Sequence, residues 1–337
     1  MHPSIRYRLF DFEDPLITPA TWNQLLQKSS SNVIFMTWQW QKAWWDIFGR
    51  GQLLLISAEE DGQPIFIAPL FADGGMIFFT GSGGSDYLDF IGDTDNPAIL
   101  ENILLLAAEQ VTDFVGFRFY HILEHAPTAM MLEAISKKQG WEYYDEGSLP
   151  APMLEMEKFP EIAHSAAMKK SLLRHEAWFE KNGGVQSIHL HRCKDILPWL
   201  DEFFEQHTRR WQQTAFPGLF NDKKQRLFYK RFVELASATG WLRFAVIKWK
   251  EKAIAFHYGF NYNGSFLWYK PSFDIELAKH SPGEVLLRQL LLQALKEHAQ
   301  VFDLGLGDEI FKERFATSKR FVHTHGLYPL SPNNETT

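Results

Sequence analysis

Three short stretches of this chain hold residue types at spacings that could do chemistry. The first is Gly305-Leu306-Gly307-Asp308-Glu309-Ile310-Phe311-Lys312. Its glycines permit a backbone path that would strain other residues. They bring Asp308, Glu309 and, one helical turn on, Lys312 to a single place. A carboxylate there is a candidate base toward an amine or hydroxyl, with Lys312 holding it ionised. The plainer reading is a solvated helix start, where acidic residues suit the helix dipole and a Glu–Lys pair contributes only about 0.3–0.5 kcal/mol.

The second stretch is Ser281-Pro282-Gly283-Glu284, ahead of the apolar-periodic run from Val285. Ser at the N-cap, Pro at the first helical position and Glu three residues on read as a capping box. Alternatively, Gly283 lets a ligand's phosphates approach the positive end of the helix. In the third stretch, Phe203 to Trp211, His207, Arg210 and Trp211 fall on one helix face. They read either as a partly buried structural histidine with its neighbours or as a grip for an anionic or sugar-like substrate.

Two further patterns are weaker. Gly81-Ser82-Gly83-Gly84-Ser85-Asp86-Tyr87 imitates a nucleotide loop, but Asp86 sits where the dinucleotide fingerprint needs its third glycine, and no Walker lysine follows. It reads as a ligand-lining loop that sets Asp86, Tyr87 and Asp89 beside a strand end. His189, His191 and Cys193 alternate and imitate a soft-metal site. No second cluster completes a four-ligand set, so no metal is expected.

The elements that must position these residues can be read from periodicity and turn chemistry. In the second half they are a strand over Val185–His191, helices over Asp195–Trp211 and Asp222–Thr239, and strands over Trp241–Lys248 and Ala253–Tyr262. After the turn at Asn263-Gly264 come a third strand, a helix over Pro282–His298, a strand from Val301, a short helix from Asp308 and a final strand over Arg320–Tyr328. The first half repeats much of that order: a helix from Thr37, a hairpin around Asp61-Gly62, a strand over Met76–Thr80, a helix over Pro97–Thr112, a strand over Phe114–Tyr120, a helix over Pro127–Gln139 and a strand over Trp141–Asp145. Repetition of the order suggests tandem duplication. The expected division is residues 1–150 and 151–337, joined near Leu149-Pro150-Ala151-Pro152. The fold class is α/β (α+β), each half a mixed, mainly antiparallel sheet with helices on both faces.

Composition bounds the function. The 337 residues are 45% hydrophobic and 22% charged, with 29 Phe and 12 Trp, as in a well-cored globular protein. A net charge of −7 argues against general attraction to DNA or acidic membranes. The best candidate for a local basic patch is Met168 to His175, which otherwise reads as a solvated helix face. The single cysteine, Cys193, allows no intramolecular disulfide, which suits a reducing cytoplasm. The opening Met1-His2-Pro3-Ser4 has no apolar signal character, and no run approaches a membrane span.

Taken in order, several motifs resemble a known family: Thr37-Trp38-Gln39-Trp40 with Trp44-Trp45; Ile67-Ala68-Pro69-Leu70; Gly81-Ser82-Gly83 with Ser85 to Asp89; Phe203-Phe204 with His207, Arg210 and Trp211; Ser281-Pro282-Gly283 with Leu286-Leu287; and Gly307-Asp308-Glu309 with Lys312, Arg314 and Phe315. The set resembles the CelD/BcsL-type acetyltransferases, a bacterial branch of the GNAT superfamily, over nearly the whole chain. The resemblance implies tandem GNAT-like domains as in Fem-type aminoacyl transferases. It also implies acetyl-CoA or another acyl-CoA as donor and an association with cellulose or exopolysaccharide synthesis. Phe311 stands where that family often has Tyr, Ala316 where Gly is frequent, and the glycine-rich pyrophosphate loop is reduced to Ser281-Pro282-Gly283.

The expected activity is acyl transfer from CoA to an amine such as an amino sugar. The pantetheine arm would lie along Phe266–Tyr269, and backbone N–H groups there would polarise the thioester. Asp308 or Glu309 would be the base and Tyr269 the acid, with Asp86, Tyr87, His207, Arg210 and Trp211 contacting the acceptor. Two rivals stand beside it: a Fem-like transferase using aminoacyl-tRNA, and a non-catalytic pair of domains that binds a saccharide or a synthase partner.

Overall fold

The computed structural model describes residues 5–92, 94–212 and 218–330; the opening Met1–Ser4 lies outside them. The chain divides into two compact units, Met1–Pro150 with Arg320–Thr337, and Ala151–Lys319. Both have the architecture of a GNAT domain, a mixed, mainly antiparallel sheet flanked by helices.

The first unit begins with β1 (Arg6–Phe10), α1 (Pro19–Leu26) and α2 (Trp38–Phe48), none but α2 anticipated in the sequence. Thr37 caps α2, its hydroxyl accepting from Trp40 N, and Trp40 and Trp44 face the core. The hairpin β2 (Gln52–Glu60) and β3 (Gln63–Asp73) turns at Asp61 and Gly62, both at positive φ, as a two-residue primed turn requires. Next come β4 (Met76–Phe79), the short β5 (Ile91–Gly92), α3 (Pro97–Glu109), β6 (Gly116–Leu123), α4 (Thr128–Gln139) and β7 (Trp141–Glu155). The segment expected to join two halves is thus mid-strand. β7 runs through Pro150-Ala151-Pro152, and its last residues pair with the second unit's sheet, Met153 to Asp303 and Glu155 to Val301.

The second unit adds α5 (Pro160–Ala167), α6 (Lys170–Lys181), β8 (Val185–Leu190), α7 (Cys193–Ile196), α8 (Leu200–Trp211) and α9 (Lys223–Leu235). Strands β9 (Leu242–Trp249), β10 (Lys252–Tyr262) and β11 (Ser265–Phe273) form the antiparallel centre, followed by α10 (Pro282–Lys296), β12 (Val301–Asp303) and α11 (Ile310–Glu313). The core between sheet and helices is built from Leu172 and Phe179 of α6, Ile254, Phe266 and Trp268 of the sheet, and Val285, Leu286, Leu290 and Leu291 of α10. The last strand, β13 (Ser318–Pro329), returns to the first unit and pairs antiparallel with β6.

Each unit contains one parallel strand pair joined through a helix. In the first, β4 pairs with β6 from Met76↔Gly116 to Phe78↔Arg118, with α3 between them. In the second, β11 pairs with β12 from Ser265↔Val301 to Leu267↔Asp303, with α10 between them.

Candidate active site

The parallel pairing of β11 with β12 ends at Leu267↔Asp303, yet β11 continues to Phe273. Beyond that point the two strands part, and among the described residues no strand replaces β12 on that side of β11. An unpaired strand edge presents N–H and C=O groups to any extended ligand. Pro271 lies in this segment, where a residue without an N–H is tolerated at an edge.

One feature of this edge departs from the sequence reading. The N–H of Tyr269 donates to His257 Nε2 at 3.2 Å, so it is not open to a thioester. His257, on β10, is fully buried. It reaches over Gly259, where a Cβ would lie 2.1 Å from the imidazole Cε1, at a bulge between Tyr258 and Phe260. Burial pushes its pKa down to about 3. The neutral ring can therefore accept the bond, which leaves Nδ1 without a partner. The signal in the sequence was a histidine two residues before a glycine within a strand, which alone does not announce a bulge. Tyr269 is itself buried, and its hydroxyl accepts from Tyr229 at 3.3 Å.

The capping box read at Ser281 and Glu284 is not formed. Ser281 sits in the left-handed region at φ 56°, ψ 56°, and its side chain caps nothing. Glu284 turns instead to Arg314, at 2.8 Å. Pro282 has no N–H, and those of Glu284 and Val285 donate to Ser281 O at 3.0 and 3.4 Å, which leaves the Gly283 N–H as the first-turn donor without an acceptor among the described residues. Gly283 packs closely: a Cβ there would stand 3.2 Å from the ring of Phe273.

Past β12, Asp303 accepts from Gly305 N at 2.9 Å, and Gly305 and Gly307 take φ of 72° and 120°. Lys312 is 3% exposed. Its ammonium donates to Leu306 O at 2.7 Å, Gly305 O at 3.3 Å and Glu309 Oε2 at 2.7 Å, so all three N–H bonds are engaged. A Cβ on Gly307 would lie 2.4 Å from that Glu309 oxygen, so the glycine makes room for the pair. The helix begins at Ile310 rather than Asp308, and Glu309 is its N-cap residue without a side-chain bond. Asp308 and Glu309 are both exposed. The structure thus brings Glu309 and Lys312 together and leaves Asp308 beside them.

At the end of α8, His207 is buried, and its Nε2 accepts from Trp211 Nε1 at 3.1 Å. Burial, with the charges of Arg210 and Lys270, pushes its pKa down to about 3. This is the structural histidine of the plainer reading. Arg210 differs. Its guanidinium lies 4.4 Å from the Phe273 ring centre and donates to Pro271 O at 3.0 Å, which ties it to the open edge of β11. Burial lowers its pKa while Glu309 acts the other way. Phe273 thus touches both Arg210 and the start of α10, an aromatic link that the sequence reading passed over.

The remaining expected residues lie elsewhere. Tyr87 is 2% exposed in the first unit, edge-on to Phe35 and under the Arg320 guanidinium, so it is a core residue and offers a ligand no surface. Asp89 is fully buried, accepting from Ser31 at 2.6 Å and Thr128 at 2.7 Å, and burial raises its pKa. Asp86 is half-buried in the same loop. His189 meets Ser187 at 3.0 Å and His191 meets Leu242 O at 3.2 Å. Among the described residues no three metal-ligating side chains converge. No helix of the described residues is long and apolar enough to cross a membrane.

Residues 166–313 match the family described as an acetyltransferase (GNAT) domain. The stretch contains the open strand edge, the α10 N-terminus, the glycine loop and the end of α8. The whole fold is similar to that of FemX (10% identity, TM-score 0.65, 96% of this chain and 97% of that one). It is also similar to a tandem GNAT protein from the clavulanic acid biosynthesis pathway (10% identity, TM-score 0.56, 97% and 100%). A third likeness is to the C-terminal domain of a putative lysylphosphatidylglycerol synthetase from Agrobacterium fabrum (12% identity, TM-score 0.56, 91% and 90%). No curated protein matches the chain. The match and the shared fold support the GNAT superfamily and an acyltransferase.

Proposed function

We propose that this GNAT-fold acyltransferase moves an acetyl or similar acyl group from CoA to an amine, and that the donor binds in the second unit. The observation that carries the proposal is the pairing of an open edge on β11 with an uncapped N-terminus on α10. An extended pantetheine arm bonds to such an edge as an added strand. A phosphate group is held by the open Gly283 N–H and the positive dipole end of such a helix. Gly283, against Phe273, lets the phosphates come close to the backbone.

In the transfer, the amine nitrogen attacks the thioester carbonyl, a C–N bond forms, and the C–S bond breaks to release a thiolate. The nitrogen must lose a proton. Asp308 is the base in this reading, and Glu309, held by Lys312 at 2.7 Å, is its alternate. The leaving sulfur gains a proton, for which Tyr269 on β11 is the candidate donor. Because the Tyr269 N–H is bound to His257, polarisation of the carbonyl falls to other N–H groups of the edge.

CelD/BcsL-type membership, an amino-sugar acceptor, a cytoplasmic site of action and a link to polysaccharide synthesis belong to the same proposal and rest on the motif resemblance. A Fem-like, aminoacyl-tRNA-dependent reaction is the second reading, favoured by the likeness in fold to FemX. The net charge of −7 argues against it. The test is thiol release from acetyl-CoA across a panel of amines and amino sugars. Acceptor-dependent release supports acyl transfer from CoA. Its absence, with transfer from aminoacyl-tRNA instead, would overturn it.

A further inference from the structure

Arg210 and Glu309 form an arrangement that the transfer chemistry alone does not require. Several partly buried arginines in this protein are matched to carboxylates: Arg8 to Glu59, Arg243 to Glu297 and Arg288 to Glu176. Arg210 is half-buried, and among the described residues no carboxylate lies within ion-pair distance of it. Residues 213–217, which follow α8, are Gln-Thr-Ala-Phe-Pro and contain no acid. Removing a cation from water without a counter-ion is costly, so the arrangement calls for a partner.

The orientation of Arg210 is fixed. One terminal nitrogen is engaged by Pro271 O and the guanidinium face by the Phe273 ring. The other two nitrogens have no hydrogen-bond partner among the described residues. A guanidinium held this way retains donors for a carboxylate or phosphate. Glu309 is near enough for its charge to act on Arg210, yet the two do not pair. Each is held by its own anchor, Pro271 and Phe273 for one and Lys312 for the other. Opposite charges kept apart beside the open edge of β11 match a ligand with the reverse polarity.

Building on the donor site proposed above, we infer that the acceptor is zwitterionic: its amine is drawn to Asp308 and Glu309, and an anionic group on the same molecule is bound by Arg210. The anionic group is a phosphate or a carboxylate. This narrows the acceptor from amines in general to molecules that carry both an amine and an anionic group, such as amino-sugar phosphates and amino-sugar carboxylates. Arg210 is then a binding and specificity residue, and it takes no part in the proton transfer.

The experiment is calorimetric titration of the full chain, with and without saturating CoA, using four probes. Glucosamine carries the amine alone, glucose 6-phosphate the anion alone, glucosamine 6-phosphate both with a phosphate, and muramic acid both with a carboxylate. At least one zwitterion should bind about 10- to 100-fold tighter than glucosamine, the worth of one charge-assisted hydrogen bond. Arg210→Met keeps the stem on Phe273 and should erase that preference, while Arg210→Lys should keep part of it. Circular dichroism establishes that both variants are folded. The inference is overturned by equal binding of glucosamine and both zwitterions, by a preference that survives in Arg210→Met, or by no binding of any probe. It is also overturned if Arg210→Met weakens CoA instead, since the guanidinium would then serve the donor. Failure of CoA to bind defeats the donor site, while the four-probe comparison without CoA still reads the preference of Arg210.

Discussion

The two units build the same parallel strand pair and treat it in opposite ways. In the first, the space beside β6 is filled by the chain itself. Leu88 N donates to His121 O at 3.1 Å, His121 Nδ1 donates to Ser85 O at 2.9 Å, and Trp40 Nε1 reaches Ser85 Oγ at 2.8 Å. The helix that follows is closed too, since Asn96 Oδ1 accepts from Ala98 N at 3.1 Å and Ile99 N at 3.4 Å. In the second unit the gap beyond the parallel pair stays open along β11 past Leu267, and α10, the counterpart of α3, has no side-chain cap. One unit satisfies these polar groups internally, and in the other the edge of β11 has no strand partner there among the described residues.

The sharpest way to break this contrast is at the proton. Asp308→Asn should lower kcat by about 10²–10⁴-fold, the usual worth of a positioned base, whereas Asp86→Asn in the filled loop of the first unit should leave the rate unchanged. Donor affinity should hold in both. Near-normal turnover in Asp308→Asn would make that residue structural and pass the role to Glu309.

Next in size is acid stability. His207 and His257 have folded pKa values of about 3 against an ordinary 6.5, so the unfolded chain binds more protons between those values. Their contribution is present above about pH 6.5 and is lost as pH falls toward 3, with a slope of up to about 1.4 kcal/mol per pH unit for each group. Urea unfolding between pH 4 and 7 should therefore show a shallower pH dependence in His207→Gln than in the wild type. Equal slopes would mean that this imidazole is not buried neutral.

The smallest effects separate the two helix starts. Gly283→Glu adds bulk against Phe273 and a like charge, and it should weaken CoA about tenfold or more by calorimetry. Unchanged affinity in the folded variant would remove the donor from α10. For stability the order reverses. Asn96→Ala should cost about 0.5–2 kcal/mol as a lost cap, and Ser281→Ala almost nothing. A measurable cost at Ser281 would show that its hydroxyl does cap the helix in solution.

Where local chemistry decides the backbone, the sequence was legible. Asp61-Gly62 and Asn263-Gly264 need positive φ at both positions, and both are hairpin turns as read. The glycines of the 305–307 loop and the helix from Pro282 were legible on the same grounds. Long-range pairing was not. The prolines at 150 and 152 look like a linker, yet β7 runs through them as one strand and pairs with β12 just beyond, at Met153 to Glu155, and the destination of β13 is set by β6, about two hundred residues earlier in the chain. The candidate site divides in the same way. Glu309 with Lys312 followed from spacing, whereas Arg210 was legible only on its helix face and its place at the β11 edge was not. Tyr87 and Asp89 did not, because whether a loop lines a cleft or plugs it depends on what packs beneath it. His257 was missed since a bulge is a property of two strands together.

The anchoring of Lys312 matters for an enzyme that handles activated acyl groups. A thioester bound as proposed above would sit near a primary amine of the protein itself, and an ordinary lysine there would compete with the true acceptor and end as a dead-end amide. Nitrogen can attack only through a lone pair. Lys312 Nζ is committed to Gly305 O, Leu306 O and Glu309, and its side chain is 4% exposed, so an acyl carbon has no open approach to it. With the donor placed as proposed, the network that shapes the loop would also shield the loop's own amine from acylation.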